Sequence, residues 1–423
     1  GPDNETNFDH MLARLDAAKV RLPPLYLTRA HQPFVAKLNT LGSSGFTHVL
    51  VTEADSTGAL MLDISHSILQ NGEKYQDTAT DAFEEVVTDL YDGFLSAEDR
   101  KAIDAPDREI LPPLVKWGNP DDGPYTWPSD ATASFGVECG VVNLPPSNAT
   151  GGIAAWAALA HETAGHDILH ADHGLEAELA QAVHDSLKPL GAGLASYWSQ
   201  RIDETASDVM GILNMGPAPA IGLVAYFRAL NAAFGGQPHL RTIGPPDDPH
   251  PADILRGYLA AATVSELNFT ASSAWAKVIN AETDKDATAT FNIGGITVSQ
   301  ATGKKSAQIV AQTIATFKSA VLKNHALIDI QDWSDDDEAT VATLVPVLTT
   351  AAPLPATITG AGVYAAHVVA AAVMAALAKK AAPAAIFKRM ISTLKSMHDS
   401  NPAWGPMHIL HPSTVYRDRA YIR

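Results

Sequence analysis

Short alternations of apolar and polar residues mark the first part of the chain. Residues 46–52 (FTHVLVT) and 59–63 (ALMLD) are predicted to be strands, joined through the turn-forming segment 55–58. The period then changes, because apolar side chains in residues 77–94 recur three and four positions apart, which predicts a helix. We therefore expect residues 1–120 to form a small mixed α/β module.

The central part of the chain combines a predicted linker, one strand and two helices. Residues 105–130 are rich in Pro, Asp and Trp and are expected to form a linker on the surface. Residues 135–143 are predicted to be a strand that a Pro pair stops, and an edge strand there could hold an extended peptide. An Ala-rich helix is predicted over 152–160, and a second helix covers roughly 195–213.

The remainder of the chain is predicted to be mainly helical. Apolar periodicity indicates helices over residues 221–234, 252–267 and 306–323. Residues 290–298 predict a hairpin, because their central Gly pair suits a two-residue primed turn. The acidic run 329–338 predicts a solvated helix start, since it lacks the spacing of a calcium-binding loop.

Residues 360–377 are the one predicted segment that approaches the length of a membrane span. The segment is dominated by alanine, which is a strong helix former but only weakly hydrophobic, and it contains His367. Two lysines follow it directly. These features favour a buried core helix, so no membrane span is expected.

Composition limits the classes of function. The chain has 423 residues, of which 46% are hydrophobic and 18% charged, which indicates a globular protein with a large core. A net charge of −18 argues against a nucleic-acid partner, because nucleic-acid binding needs Lys and Arg on phosphates. Cys139 is the single cysteine, so an internal disulfide framework is excluded and a buried strand position is the expected role.

The same features favour a soluble protein, with the cytoplasm slightly preferred to a secreted or periplasmic location. The first two residues, Gly1-Pro2, lack an initiator Met and are typical of a protease scar. Removal of a leader therefore stays open, as does the oligomeric state.

The segment 161–166 (HETAGH) carries the candidate chemistry. His161 and His166 are five positions apart, which on an ideal α-helix separates them by about 140° around the axis. They can bind one ion only if the helix contains an extra residue as a π-type bulge. Gly165 is the residue most able to absorb such a distortion, so we expect a bulge there.

A second run, residues 204–208 (ETASD), supplies the remaining groups of the predicted site. Glu204 offers an anionic third ligand. Asp208 lies one turn later and is expected to accept the outer N–H of a metal-bound histidine, which fixes its tautomer. With Glu162 as a spare carboxylate, the two runs provide what a catalytic zinc site needs: three protein ligands and a base beside an open position for water.

HExxGH followed by ExxxD resembles the gluzincin metallopeptidases. Residues 204–211 are similar to the third-ligand helix of thermolysin-like enzymes, and the five-residue histidine spacing resembles dipeptidyl peptidase III. Residues 250–256 (HPADILR) resemble the His-Pro…Arg segment of the CAAX-prenyl protease family. The resemblance covers only local motifs within residues 135–258. It implies a peptide or protein substrate, Glu162 as general base, and one zinc ion held by His161, His166 and Glu204.

With this resemblance, the predicted fold class is α+β and predominantly helical. A zincin-like catalytic core is expected over residues 121–265, between the N-terminal α/β module of residues 1–120 and a mainly helical region over 266–423.

Gluzincins also use a His or Tyr donor for the developing oxyanion. The candidates are His250, Tyr258 and Tyr416, and we favour His250 because its segment follows the third-ligand helix; its alternative role is to mark the start of a helix. A rival metal site could use His166 and His170, which stand at i and i+4.

Two classes of function remain open at this point. The first is a zinc-dependent peptidase, and the alternative is a noncatalytic metal-binding or structural protein with a degenerate site. The natural substrate and the choice between exo- and endopeptidase activity stay open.

Overall fold

The computed structural model describes residues 5–95, 100, 102–107, 111–353 and 363–400. The N-terminal helices are α1 (Phe8–Ala18), α2 (Pro24–Tyr26), α3 (Gln32–Thr52), α4 (Thr57–Gly72) and α5 (Asp77–Leu95). The central helices are α6 (Ser129–Thr132), α7 (Ile153–Leu159), α8 (Leu175–Leu187), α9 (Ala192–Ser199), α10 (Ile202–Met215), α11 (Pro217–Ala233) and α12 (Asp253–Glu266). The last helices are α13 (Ser272–Asp284), α14 (Gln300–Thr316), α15 (Leu327–Ile330), α16 (Asp335–Thr350), α17 (Ala365–Ala376) and α18 (Pro383–Asp399).

Within the described ranges, two segments are π-helical, Leu27–His31 and Ala160–Asp167. The strands are β1 (Leu111–Trp117), β2 (Tyr125–Trp127), β3 (Cys139–Leu144), β4 (Ile243–Gly244), β5 (Thr290–Ile293) and β6 (Ile296–Ser299). The predicted class, a predominantly helical α+β protein, is thus confirmed at this level.

The first sheet has the order β1-β3-β2, with β1 parallel and β2 antiparallel to the central strand β3. Successive side chains of a strand point to opposite faces, and here both faces are buried. Val141 packs with the N-terminal helices, whereas Val142 joins the larger core formed with the later helices. The sheet therefore separates two hydrophobic layers.

The larger core extends from α5 to α18 without a break. It includes Phe83 from the predicted N-terminal module, Trp156 from the predicted catalytic core and Phe387 from the C-terminal region, and Trp156 contacts both rings. The packing therefore does not follow the predicted boundaries at residues 120 and 265. As a division into domains, those boundaries stay a prediction.

The two strands predicted near the N-terminus are wrong. Residues 46–52 end the long helix α3, and residues 59–63 lie within α4. The physical reason is a period visible only over a longer window: Leu60, Ile64 and Ile68 recur every four positions, and all three are buried on one face.

The predicted linker is also wrong, because residues 105–130 contain both β1 and β2. Pro112 and Pro113 lie inside β1, which is an edge strand where a missing N–H is tolerated. The predicted strand 135–143 begins only at Cys139, because the chain makes a left-handed turn at Gly136, where φ is 74°. Cys139 is fully buried in β3, as expected.

Three predicted helices need new limits. The segment 195–213 is divided between α9 and α10, which break at Arg201. Only the first part of the segment 306–323 is helical: it belongs to α14, which starts earlier, at Gln300, and ends at Thr316. The left-handed residue Lys323 lies beyond that end. The helix expected at 152–160 starts at Ile153 and passes directly into the π segment.

The remaining helices and the hairpin agree with the prediction. Helices α5, α11 and α12 lie at the predicted positions, with ends within four residues of those expected. Strands β5 and β6 are joined through Gly294 and Gly295, both at positive φ. The acidic run forms the start of α16, where Ser334 is the N-cap. Helix α17 is buried as expected, although residues 360–362 of that prediction lie outside the described residues. No helix in the described ranges is long and apolar enough to cross a bilayer.

Candidate functional site

The candidate site lies where the π segment Ala160–Asp167 crosses α10. The predicted bulge is confirmed, since residues 161–166 form part of that π segment. A π turn bonds residue i to i+5, so side chains five positions apart project from one face. The rings of His161 and His166 accordingly lie 4.6 Å apart, at an angle of 88°.

Gly165 lies within the π segment and has a second role that the sequence did not predict. A Cβ added there would lie 2.3 Å from Ser207 Cβ and 2.4 Å from Ser207 Cα on α10. Gly211 of α10 is restricted in return, because its added Cβ would lie 2.9 Å from the backbone N of His161. The two glycines therefore let the helices approach closely, and this contact brings the acidic residues of α10 to the histidines.

Glu204 of α10 faces both imidazoles. Its Oε2 lies 3.3 Å from His161 Nε2, and its Oε1 lies 3.5 Å from His166 Nε2. One ligand atom from each of these three residues falls within 4.8 Å of the others. Atoms bound at about 2.0–2.1 Å to a tetrahedral zinc ion stand about 3.4 Å apart, so the observed spacing fits such an ion.

The chemistry of the three groups also fits a metal ion. The Oε2 atom of Glu204 is buried and accepts no hydrogen bond from any described residue. Burial raises the pKa of Glu204, but the imidazoles of His161, His250 and His166 close to the carboxylate hold that pKa well below its usual range. An ionised, buried oxygen next to two imidazole nitrogens is a donor set that zinc prefers.

Asp208 lies where the sequence predicts it. His161 donates from Nδ1 to Asp208 Oδ1 over 2.8 Å, which leaves Nε2 free to face Glu204. Arg256 of α12 holds the same carboxylate with two hydrogen bonds, each 2.8 Å long. Burial lowers the pKa of His161, but Asp208 and Glu204 outweigh that effect and raise it to about 10.

The second histidine is held in the same way by a residue that the sequence analysis missed. His166 donates from Nδ1 to Asp203 Oδ2 over 2.8 Å, and the other oxygen of Asp203 lies 3.0 Å from His170 Nε2. His170 also lies 3.3 Å from Asp130. Asp203 directly precedes Glu204, so the signal was an acidic pair at the start of α10.

The rival pairing of His166 with His170 is not the arrangement in the structure. Both ring nitrogens of His170 lie near carboxylates, and His166 turns its Nε2 towards Glu204. Burial lowers the pKa of His170, but Asp130 and Asp203 more than compensate and raise it to about 10. His170 therefore belongs to a charged network beside the candidate site.

Glu162 follows His161 in the π segment, and its side chain is buried. The hydroxyl of Thr126, in strand β2, donates to Glu162 Oε2 over 2.7 Å. That strand is at the edge of its sheet, and its register with β3 sets Thr126 opposite Val142. One carboxylate oxygen of Glu162 is therefore fixed by the strand.

A cavity of about 580 Å³ lies in front of these groups. Its lining includes all of the predicted site residues: His161, Glu162, His166, Glu204, Asp208 and His250. One wall is the face of α11 that carries Leu223, Tyr226, Phe227 and Leu230. The site is thus open to a ligand with an apolar surface beside the charged groups.

The three predicted oxyanion donors have different positions. His250 lines the cavity, with Nε2 3.1 Å from Glu204 Oε1 and Nδ1 2.9 Å from Asp248 Oδ1. Tyr258 does not line it, because its hydroxyl donates to Asp284 over 2.7 Å on another side of α12. Tyr416 lies outside the described residues.

Tyr226 is a candidate donor that the sequence analysis did not select. It lines the cavity, is half-buried, and its hydroxyl makes no hydrogen bond with any residue that the structure describes. Burial raises its pKa, and the nearby charge of Glu162 raises it further. In the sequence it lies among apolar residues of a helix, where a tyrosine gives no distinct signal.

Comparisons with protein-family models, with curated proteins and with solved structures find no match to this chain. The function proposed below therefore depends on the geometry of the site and on the local motifs alone.

Proposed function

We propose that this protein is a zinc-dependent peptidase. One observation carries the proposal: His161, His166 and Glu204 converge on one point at ligand spacing, with Glu162 beside them in the same cavity. This combination of a three-ligand set, a separate carboxylate and an accessible cavity is the arrangement that metal-assisted hydrolysis requires. The peptidase activity, the zinc ion and the peptide substrate are all parts of this proposal.

The two histidines and Glu204 would hold one zinc ion. When bound, the ion supplies a Lewis acid that polarises the scissile carbonyl and lowers the pKa of a water to about 7. Asp208 and Asp203 accept the Nδ1 protons, so that each histidine would have Nε2 available as the ligand atom.

Glu162 is the proposed general base. It takes the proton of the attacking water on a carboxylate oxygen and later passes that proton to the leaving amine. Since Thr126 fixes Oε2, the other oxygen is the one available for this transfer. The burial of Glu162 keeps bulk water from competing for the same proton.

Strand β2 is the proposed peptide-binding edge. It pairs with β3 on one side only, and Tyr125 and Thr126 line the cavity. An extended peptide could add to this edge through backbone hydrogen bonds. The sequence predicts an edge strand over 135–143, but β3 is the central strand of its sheet and β2 is the edge strand beside the cavity.

Two side chains are placed to donate to the oxyanion of the tetrahedral intermediate. Tyr226 offers a hydroxyl with no other partner among the described residues, and His250 offers an imidazole at the cavity rim. The hydrogen bond and charge of the Glu204 carboxylate raise the pKa of His250. We assign the primary role to Tyr226, because His250 is already engaged by Glu204 and Asp248.

The alternative is a noncatalytic protein in which these residues bind a metal ion or form a structural network. The charged contacts around Glu204 favour it, since His161, His250 and Arg256 all lie within 3.7 Å of that carboxylate. Such a network can hold α10 and α12 together without turnover.

Zinc content combined with cleavage of an unbiased peptide library distinguishes the two functions. We expect Glu162→Gln to keep the zinc ion and to lower kcat by about 10²- to 10⁴-fold, because it removes the general base. Glu204→Ala should weaken zinc binding, whereas Glu176→Gln, away from the cavity, is the control for both measurements.

Two results would contradict the proposal. Full activity of Glu162→Gln on a verified substrate would rule out its role as base, and unchanged zinc affinity of Glu204→Ala would rule out the third ligand. A wild-type protein that binds zinc but cleaves no peptide would favour the noncatalytic alternative.

A further inference from the structure

Arg241 places a positive group on the lining of the cavity that holds the candidate site. Its side chain is 50% exposed, and it lies on the chain segment between α11 and α12. The protein carries a net charge of −18, and Asp203, Glu204 and Glu162 line the same cavity. Arg241 is therefore a solvent-exposed cation on a cavity whose lining also carries these carboxylates.

Asp253 fixes the orientation of the Arg241 guanidinium. Arg241 donates to its two carboxylate oxygens from Nε over 3.0 Å and from Nη2 over 2.9 Å. The backbone N–H of Arg241 and the side chain of Asn231 donate to the same carboxylate. Asp253 is 1% exposed, so the pair is anchored in the protein interior.

This arrangement leaves one nitrogen of Arg241 available. Nη1 donates to no acceptor among the residues that the structure describes, although Nε and Nη2 are both engaged. A guanidinium held along one edge keeps further N–H groups for an external acceptor in a fixed direction. Preorganisation of this kind lowers the entropy that is lost when a ligand binds.

The segment that carries Arg241 is pinned to the body of the protein. Arg201 donates to the carbonyls of Pro245 and Pro246 over 3.2 and 2.9 Å. The N–H of Ala252 donates to the hydroxyl of Tyr197 over 2.9 Å. Arg241 is therefore held in a fixed position relative to the metal-ligand residues.

The neighbouring wall of the cavity is apolar. Leu223, Phe227 and Leu230 of α11 line it, and Phe227 also covers the guanidinium of Arg256, with 4.9 Å between its centroid and Cζ. Apolar walls lower the local dielectric, which strengthens a charge-assisted hydrogen bond inside the cavity. A carboxylate is the peptide group that fits a fixed guanidinium of this kind.

We propose that Arg241 is the anchor for a carboxylate of the substrate. The inference rests on the proposed peptidase function and adds its substrate class: peptides with a carboxylate close to the cleaved bond. That carboxylate is either the C-terminal group of a short peptide or an Asp or Glu side chain, and both present the same chemistry to Arg241. Asp253 acts as the positioning residue for the anchor.

The test measures the binding of matched short peptides to the zinc-loaded 423-residue protein with the Glu162→Gln substitution, so that the readout does not depend on turnover. One pair has a free or an amidated C-terminus, and a second pair has Glu or Gln beside the central bond. We expect the carboxylate member of at least one pair to bind about 10- to 100-fold more tightly, as for a hydrogen bond between charged groups. The pair that shows the preference identifies the source.

Substitutions of Arg241 in the Glu162→Gln protein then show whether the preference for a carboxylate depends on this side chain. Arg241→Gln should bring the affinity ratio within a pair close to one, and Arg241→Lys should restore part of it. Arg228→Gln is the matched control, because Arg228 also pairs with acidic residues, Asp286 and Glu282, but does not line the cavity. Thermal unfolding of each variant shows whether the fold is retained.

Equal binding of both members in both pairs, or a preference that survives Arg241→Gln in folded protein, would overturn the inference. If Arg241→Gln does not fold, the peptide pairs and Arg241→Lys decide: an unchanged ratio in that variant contradicts an anchor that depends on the guanidinium. Failure of the peptidase function gives a different pattern, because wild-type protein would bind the carboxylate peptides but cleave none of them.

Discussion

At the scale of single residues, the candidate site depends on groups that hold other groups. Asp208 and Asp203 each accept the Nδ1 proton of one histidine, and Thr126 holds one oxygen of Glu162. None of these three hydrogen bonds involves a proposed metal-ligand atom, that is, Nε2 of either histidine or an oxygen of Glu204. Their removal should therefore change affinity or rate while leaving the ligands themselves in the chain.

Thr126→Val should lower kcat about 10- to 100-fold with little change in KM, because the hydrogen bond that orients Glu162 is lost. Valine keeps the shape of threonine and suits a strand, so the fold should be retained. Steady-state kinetics on a peptide substrate measure the effect. Thr126→Ser keeps the hydroxyl and should keep most of the rate; an equal loss in both variants would show that the methyl group matters instead.

Asp208→Asn should weaken zinc binding about 10- to 100-fold, because the His161 tautomer is no longer fixed by an ionised acceptor. Zinc titration with a competing chelator measures the change. Asp286→Asn is a matched control, since Asp286 is a buried partner of Arg228 away from the cavity. Similar zinc affinities for the two variants would contradict the role of Asp208.

At the scale of elements, the site is a crossing of the π segment and α10 at two glycines. The bulge brings the histidines to one face, and the close approach at Gly165 and Gly211 brings Glu204 within reach of both rings. The geometry of the candidate site therefore requires both the π bulge and the close packing of the π segment against α10.

Gly165→Ala should separate the two helices, because its methyl group would overlap Ser207 of α10. Overpacking of this kind costs typically about 1–3 kcal/mol in unfolding free energy, and zinc affinity should fall with it. Urea unfolding and zinc titration measure the two effects.

Gly151→Ala is the control for this experiment, since its added Cβ meets nothing within 4 Å. Wild-type zinc affinity in Gly165→Ala would show that the close approach is not needed for the ligand geometry.

At the scale of the whole molecule, one sheet joins two buried layers, and a titratable residue is buried in the N-terminal layer. His66 of α4 is 3% exposed and donates from Nε2 to the Glu5 carbonyl over 3.0 Å. Burial lowers its pKa below the usual histidine value of about 6.5. The unfolded chain therefore binds a proton at a higher pH than the folded protein does.

It follows that acid should destabilise the fold through His66. Its contribution is fully present above pH 6.5 and is lost as the pH falls below that value, with a slope of at most about 1.4 kcal/mol per pH unit. His66→Gln should reduce the fall in unfolding free energy between pH 7 and pH 5, measured by urea unfolding. The exposed His48→Gln is the control; the same slope in wild type and His66→Gln would exclude this contribution.

The sequence by itself determined the local features. Helical periodicity predicted α5, α11 and α12, and the Gly pair predicted the β5–β6 hairpin, because each signal lies within one element. The five-residue spacing of His161 and His166 predicted the π bulge, since an ideal helix cannot bring both rings to one face. The spacing of Glu204 and Asp208 likewise predicted their common face on α10.

Only the tertiary structure decided which distant residues meet. Thr126 contacts Glu162 because β2 pairs with β3. Tyr226 lines the cavity because α11 packs beside α7. Arg241 is held by Asp253, which lies on the other side of a loop. No local pattern encodes such contacts, since they depend on how elements pack. Gly165 shows the same limit: the sequence marked the residue, but the physical reason for a glycine there is the backbone of another helix.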